Sequence, residues 1–250
     1  MNPKKIKLAE EFLQLDRYLQ AAGLASRREA ERLIKDGRVT INGKHENRPF
    51  RRVKVTVEKV RLDGKLVILK TKHAYFAFNK PFGYLCSHGD PQGRRTIYEI
   101  LPQDRHLFSV GRLDMNTGGM MIITSDGMLA RRLEMPTYGL HRIYHVRIKG
   151  HIDRKQSERA KRGLVIDGTR FRPIKITKTS EWQGGDRLEL KLTEGKYHEV
   201  RRVIEYFGLE IDFLLRISFG GITIDDLRPS EWRALSAEEV QMLKEKTGLL

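Results

Sequence analysis

The sequence predicts an α+β protein with two domains: a small helix-helix-hairpin domain, then a larger domain with a mostly antiparallel, mixed sheet and flanking helices. Two amphipathic helical segments open the chain and a hairpin signal follows them. Beyond about residue 70, strand-like segments dominate, and the long helical crossovers of a parallel sheet are missing. We therefore predict a basic N-terminal tail over residues 1–14, the small domain over 15–70 and the larger domain over 71–250.

The predicted small domain begins with two helices. In LDRYLQAAG, apolar residues recur at i, i+3, i+4 and i+7, and the final glycine supplies a left-handed stop. In SRREAERLIKDGR, Ser26 and Glu29 have the spacing of a capping box, and a glycine again ends the helix. VTING then alternates like a strand and turns at Asn42 and Gly43, a strong hairpin signal.

The predicted larger domain contains mainly strands. The segments that favour strands are AYFAFNKPFG, HLFSV, MMIIT, YHVRI, RFRPIKITKTSEW and DRLELKLT. The last two join through Gly184 and Gly185, and in YHVRI the alternation points Tyr144 to the interior together with two aliphatic residues. A short helix is expected after Gly127, and EVRRVIEYFG carries an apolar helical stripe.

The charge of the chain points to a nucleic acid partner. Lys and Arg number 48 against 32 Asp and Glu, which gives a formal net charge of +16 and a sequence pI near 10.0. A dispersed positive field is best matched by a phosphate backbone. The alternative, a purely solubilising surface, more commonly mixes the two signs.

Composition also indicates a cytoplasmic location. The single cysteine, Cys86, excludes an internal disulfide framework and a multi-cysteine zinc site. The longest aliphatic run, Met120 to Ile123, is far shorter than the roughly 20 apolar residues of a spanning helix, and the start MNPKKIKLAEEF lacks an apolar signal core.

Metal and nucleotide cofactors are not expected. His141 and His145 would lie about 13 Å apart on a strand, too far apart to share an ion. The sequence carries neither a G-x-x-x-x-G-K-[ST] loop nor a G-x-G-x-x-G turn after a strand. We predict no cofactor and no metal.

The stretch VGRLDMNTGG places Asp114 two residues after Arg112. If Val110 to Asp114 continues the preceding strand, both side chains lie on the same side, and positive charge nearby favours an ionised carboxylate. Such a carboxylate can act as a nucleophile or as the partner of positive charge developing on a sugar. The alternative is a turn in which the Asp114 side chain accepts a hydrogen bond near Asn116.

Two arginines stand in the first turn of the second predicted helix. Arg27 and Arg28 oppose the helix dipole there unless an anion lies nearby. A phosphate at this N-terminus would resolve the conflict. The alternative is that both are solvated surface side chains.

Two resemblances extend this interpretation. LDRYLQAAGLASRREAERLIKDGRVTING resembles the small RNA-binding domain first seen in ribosomal small-subunit protein four. GRLDMNTGG, with NKPFG upstream and EGKYHEVRR downstream, resembles the RsuA family of pseudouridine synthases, which join that domain to an α+β catalytic domain. The resemblance covers about residues 15 to 235.

The resemblance implies roles for particular residues. Asp114 matches the catalytic aspartate, Tyr144 the tyrosine of the cleft, and Arg201 the basic partner of the aspartate. Arg142 stands where the family commonly has lysine. The positions expected to bind substrate are Arg112, which would occupy the space of the extruded uridine, with Lys80, Gly111, Lys196, Arg27 and Arg28.

Two of these roles have structural alternatives. Tyr144 can equally be an ordinary core tyrosine. Helical geometry places Arg201 at the border of the apolar stripe, from which it can reach a cleft, whereas Arg202 points away. The alternative for Arg201 is a surface pair with Glu205.

The predicted function is isomerisation of a specific uridine to pseudouridine in ribosomal RNA, by base flipping and without a cofactor. Asp114 would attack the sugar or assist removal of a sugar proton, with Tyr144 as general base in the second route. EGKYHEVRRV and FGGITIDDL favour the branch of the family that acts on the small ribosomal subunit. Large-subunit ribosomal RNA and transfer RNA are the alternative targets. The alternatives are a non-catalytic RNA-binding protein of ribosome assembly and, more distantly, a small-molecule hydrolase.

Overall fold

The computed structural model describes residues 12–55, 57–69, 73–103 and 107–250, and the chain divides into two compact units, Met1–His73 and Ala74–Leu250. Most of the predicted tail over 1–14 lies outside the described residues. Its last three residues form a strand that pairs with Arg52–Lys54, so they belong to the small unit. The predicted boundary at residue 70 also lies outside the described residues.

The small unit has the predicted helix-helix-hairpin order. Its elements are β1 Phe12–Gln14, α1 Leu15–Ala21, α2 Arg27–Lys35, β2 Val39–Ile41, β3 Lys44–His45, β4 Arg52–Lys54, β5 Val60–Leu62 and β6 Lys65–Leu66. The strands form a sheet of order β3-β2-β5-β6 and a separate pair β1-β4. One apolar core, with Leu15, Leu19 and Ile34 at its centre, holds the two helices against the strands.

Local sequence explains these boundaries. Ser26 Oγ accepts a hydrogen bond from the Glu29 backbone N–H (3.3 Å) and so caps α2. Asn42 and Gly43 both have positive φ, 51° and 83°, as a two-residue hairpin turn with the twist of its strands requires. The predicted cap and the predicted hairpin are both confirmed.

The larger unit is built on one mixed sheet. Its elements are β7 Tyr75–Lys80, β8 Phe108–Ser109, β9 Gly118–Thr124, α3 Gly127–Glu134, β10 Arg142–Lys149, α4 Arg154–Lys161, β11 Leu164–Ile166, β12 Thr169–Phe171, β13 Lys175–Trp182, β14 Gly185–Leu192, α5 Glu199–Tyr206, β15 Glu210–Phe219, β16 Ile222–Thr223, β17 Trp232–Ala234 and α6 Ala237–Lys246. The strand order is β13-β14-β10-β15-β9-β7-β17, with β8 beside β9 and β16 beside β15, while β11 and β12 form a separate pair.

All strand pairs of this sheet are antiparallel within the described residues, apart from one. The parallel pair joins β15 to β9 through Leu215 opposite Gly118 and Arg216 opposite Gly119. Gly119 has φ +108°, and a Cβ on it would lie 2.1 Å from the Arg216 carbonyl oxygen. A glycine is therefore required where the two halves of the sheet meet. The α+β class with a mostly antiparallel mixed sheet is confirmed.

Helices cover both faces of this sheet. Alternate residues of β7 and β9 point to opposite sides, so Phe76 and Met121 share a core with α5, whereas Ala77 and Ile122 share a core with α3 and α6. Tyr144 lies in the first of these cores, as its alternation predicts. Among the helices of the described residues, none combines the length and the hydrophobicity of a membrane span.

Candidate active site

The loop between β8 and β9 spans residues 110–117, and it is not an extended continuation of β8. Gly111 has φ +71°, which turns the chain away from the strand direction, so the premise that placed Arg112 and Asp114 along one strand is wrong. A turn does exist, because Thr117 N–H donates to the Asp114 carbonyl (3.0 Å). The backbone oxygen closes this turn, which leaves the carboxylate for other contacts.

Lys80 fixes this loop from inside the protein. It is the last residue of β7 and is 1% exposed. Its ammonium donates to the carbonyl oxygens of Pro81 (3.0 Å), Asp114 (3.1 Å) and Thr117 (2.9 Å), while burial lowers the pKa of Lys80 to about 8. Backbone oxygens take all three donor directions of the Lys80 ammonium. Lys80 therefore supports the loop and has no donor left for the substrate contact that was expected of it.

Arg201 reaches the same loop from α5. Its Nη2 donates to the carbonyl of Asn116 (2.8 Å) and to Thr117 Oγ1 (3.2 Å). Its Nε lies 4.0 Å from Asp114 Oδ2, at the outer limit of an ion pair. These contacts agree with the basic partner that the resemblance implies, and not with a surface pair to Glu205.

His198 is a second basic contact of Asp114, and sequence reasoning missed it. Its Nε2 lies 3.3 Å from Asp114 Oδ1, and its ring is stacked on Tyr197 with centroids 3.8 Å apart. The residue precedes α5 in a left-handed conformation, φ 53° and ψ 28°, and its side chain does not cap the helix. The sequence signal for His198 was its imidazole within EGKYHEVRR, one of the segments that carry the family resemblance.

The carboxylate of Asp114 is thus flanked by two basic side chains and is still 43% exposed. A positively lined, partly open carboxylate can attack an electrophilic carbon or stabilise positive charge on a sugar. Hydrolysis of a glycosidic bond ordinarily requires two carboxylates on either side of the bond. The loop presents only one carboxylate to solvent between these two basic side chains.

Tyr144 stands on β10, on the face of the sheet that α5 covers. It is 8% exposed and lies opposite Leu190 of β14 and Arg216 of β15. The predicted orientation toward the interior is confirmed. A contact between Tyr144 and substrate stays a prediction, because a core tyrosine and a tyrosine at the base of a cleft are both buried.

Comparison with known proteins identifies the chain. The family model described as RNA pseudouridylate synthase matches residues 74–206, more than half of the chain, and includes the whole loop with its supports. The chain belongs to the RNA pseudouridine synthase family. It is an isomerase, and the S4 domain model matches residues 14–59 of its small unit.

Similar proteins agree over nearly the full length. An uncharacterized RNA pseudouridine synthase of Aquifex aeolicus is 37% identical over 240 residues, covering 95% of this chain and 96% of the relative. Ribosomal large subunit pseudouridine synthase B of Yersinia pestis is 37% identical over 250 residues, covering 94% and 76%. A crystal structure of a pseudouridylate synthase superposes with a TM-score of 0.66 at 26% identity, covering 92% of this chain and 99% of that one.

The remaining predicted residues of the synthase have distinct surroundings. Arg112 is exposed, and its contact with RNA stays a prediction. Gly111 donates its N–H to Glu134 Oε1 (2.7 Å), which anchors the start of the loop. Lys196 donates to the Arg170 carbonyl and to Glu194 Oε1 (3.1 Å), so its ammonium is held by protein oxygens.

The two arginines of α2 differ from one another. Arg27 Nε donates to Asp16 Oδ2 (2.6 Å), a buried carboxylate at the start of α1. The carboxylate of Asp16, and not a phosphate, therefore supplies the negative charge that offsets Arg27 at the positive end of the helix dipole. Arg28 is exposed, and its contact with RNA stays a prediction.

Glu199 is an unusual acid at the start of α5. It is 4% exposed, its Oε2 accepts the Lys196 N–H (2.8 Å), and its Oε1 has no hydrogen-bond partner among the described residues. Burial raises the pKa of Glu199 to about 7, and the backbone hydrogen bond from Lys196 only partly offsets this. The carboxyl group holds its proton more tightly than an exposed glutamate does.

One further cluster has metal-ligating side chains. His151, Glu181 and Asp186 each offer a ligand atom within 4.8 Å of the others. Lys178 Nζ lies 2.8 Å from Asp186 Oδ1 and 2.6 Å from Glu181 Oε1, so an ammonium already neutralises both carboxylates. We assign no metal to this cluster.

Proposed function

We propose that the synthase converts a uridine of ribosomal RNA to pseudouridine with Asp114 as the catalytic carboxylate. The observation that carries the proposal is the setting of this side chain. It is open to solvent, it is flanked by His198 at 3.3 Å and Arg201 at 4.0 Å, and Lys80 fixes its loop from beneath. Such a preorganised site can meet a ribose carbon without rearranging its own charges.

The reaction breaks the bond between a ring nitrogen of uracil and the anomeric carbon, and it remakes the bond to a ring carbon. Substrate and product have the same atoms, so the reaction requires no cofactor. Asp114 attacks the anomeric carbon, or it assists removal of a neighbouring sugar proton, for which Tyr144 would be the general base. Arg201 and His198 stabilise the ionised carboxylate in either route.

A paired or stacked uridine must leave the helix before Asp114 can reach its sugar. Flipping costs a few kcal/mol of stacking and pairing. Arg112 is exposed two residues before Asp114, and a guanidinium placed in the gap left by the base offsets part of that cost. Arg112 is therefore assigned to the space of the extruded uridine.

The assignment to ribosomal RNA rests on charge and on a relative. The net charge of +16 and the S4 domain favour binding to a phosphate backbone, with strong dependence on salt. The relative of Yersinia pestis is named for the large ribosomal subunit, whereas two motifs of this chain lean toward the small-subunit branch. Both ribosomal RNAs therefore belong in the test. We also propose that the enzyme is located in the cytoplasm.

The test compares wild type with Asp114→Asn on unmodified transcripts of small-subunit, large-subunit and transfer RNA. Wild type is expected to form pseudouridine in one ribosomal RNA, while D114N binds that RNA equally and forms none. Asp226→Asn changes an exposed carboxylate outside the loop and is the matched control. Pseudouridine formed by D114N would remove this carboxylate from the mechanism. Binding by wild type without any product would favour a non-catalytic RNA-binding protein.

A further inference from the structure

Tyr197 is an exposed aromatic side chain beside the catalytic loop. It is 72% exposed, unlike most large apolar side chains of the synthase. Its ring stacks on the His198 ring with centroids 3.8 Å apart and an interplanar angle of 16°. His198 in turn contacts Asp114 Oδ1 at 3.3 Å. A flat aromatic surface therefore stands one side chain away from the carboxylate.

The geometry fixes this surface in advance. The left-handed backbone of His198 and its contact with Asp114 orient one ring, and stacking then orients the other. His198 covers one face of the phenol ring, and the high exposure of Tyr197 leaves the other face open to solvent. An aromatic group that is held before binding loses little conformational entropy when a ligand stacks on it.

The charge around this ring favours RNA as its occupant. Arg201 contacts the loop of Asp114 from α5, Arg112 is exposed within that loop, and the chain as a whole carries +16. A positively charged surface with an exposed aromatic ring is the combination that binds unpaired nucleotides, because cations hold the phosphates and the ring stacks on a base. A hydrophobic protein partner would instead require a wider apolar patch.

We propose that the open face of Tyr197 stacks on an unpaired nucleobase next to the target uridine and so contributes to the choice of substrate. This inference rests on the proposed function, because it needs an RNA strand at Asp114. The stacked base lies outside the chemistry, so Tyr197 governs binding and not the rate of the bound complex.

The test compares wild type, Tyr197→Phe and Tyr197→Ala by two measurements. The first is single-turnover pseudouridine formation on ribosomal RNA transcripts, which gives the half-saturating enzyme concentration and the maximal rate. The second is the fluorescence of short single-stranded RNAs that contain one 2-aminopurine, which is quenched when that base stacks. Leu250→Ala removes an apolar side chain of nearly the same exposure, 73%, and is the matched control.

The expected result is that Y197A raises the half-saturating concentration about tenfold without changing the maximal rate, and loses the quenching. Y197F and L250A should behave as wild type in both measurements. Equal half-saturation and equal quenching for Y197A and Y197F would overturn the inference. If wild type modifies no RNA but its quenching depends on the Tyr197 ring, the proposed function fails and the stacking surface stands.

Discussion

The buried acid Glu199 makes a quantitative prediction about stability. Burial raises its pKa from the ordinary 4.5 to about 7 in the folded protein, and the unfolded chain titrates near the ordinary value. Between these values the folded state retains a proton that the unfolded state has released. The free energy of unfolding therefore falls as pH rises from 4.5 to 7, and this contribution is complete below 4.5 and lost above 7.

The size of this effect follows from the same shift. At about 1.36 kcal/mol for each pKa unit, the difference between 4.5 and about 7 corresponds to about 3 kcal/mol. Glu199→Gln removes the titration and keeps an oxygen for the Lys196 N–H. The buried amide adds a cost that does not vary with pH. We therefore expect the stability of E199Q relative to wild type to rise by about 3 kcal/mol between pH 4.5 and pH 7.5.

Tryptophan fluorescence during urea denaturation measures this difference. Both tryptophans, Trp182 and Trp232, lie in the larger unit, so the signal reports the unit that contains Glu199. Glu205→Gln, on the exposed side of the same helix, is the matched control and should keep the pH dependence of wild type. A difference between E199Q and wild type that stays constant over this pH range would refute the proposed burial of a titrating acid.

Three further predictions concern the loop and its supports. Lys80→Met removes the ammonium donor from the buried carbonyls of Pro81 and Thr117, at about 1–3 kcal/mol each, whereas the Asp114 carbonyl keeps the Thr117 N–H. Urea denaturation should therefore detect a loss of stability, and pseudouridine formation should fall more than RNA affinity. Gly119→Ala places a Cβ 2.1 Å from the Arg216 carbonyl oxygen. The free energy of unfolding, measured by circular dichroism melting, should fall by more than about 3 kcal/mol. A variant as stable as wild type would contradict the close approach of the two strands at this junction. In His198→Asn, asparagine tolerates the left-handed backbone but is too short to reach Asp114. The maximal single-turnover rate should fall about tenfold, while the stability stays nearly unchanged. An unchanged rate would remove His198 from the site.

Local signals in the sequence predicted the elements that depend on local physics. The hairpin at Asn42 and Gly43 and the cap at Ser26 follow from residues within a few positions of each other. The orientation of Tyr144 follows from strict alternation along its strand. Each of these features requires no knowledge of the rest of the fold.

The features that sequence reasoning missed depend on distant residues. Strand β15 was missed although apolar residues alternate along it from Ile211 to Phe219. Its buried positions include the polar Arg216 and Ser218, because it lies in the middle of the sheet, so apolar pattern alone does not indicate which of its faces is buried. Lys80 looked like a residue for substrate because nothing near it in sequence reveals the carbonyls of residues 114 and 117. His198 was missed because its contact with Asp114 joins positions that are far apart in the sequence.

The parallel junction between β9 and β15 has a consequence for how the enzyme works. Asp114 and Lys80 come from the β7-β9 side of that junction, whereas Tyr144, His198 and Arg201 come from the β10-β15 side. Neither half alone contains all of the residues that are proposed to react. The pairing at Gly118 and Gly119 therefore sets the relative positions of those residues, and a shift of register there is expected to abolish activity even if each half stays folded.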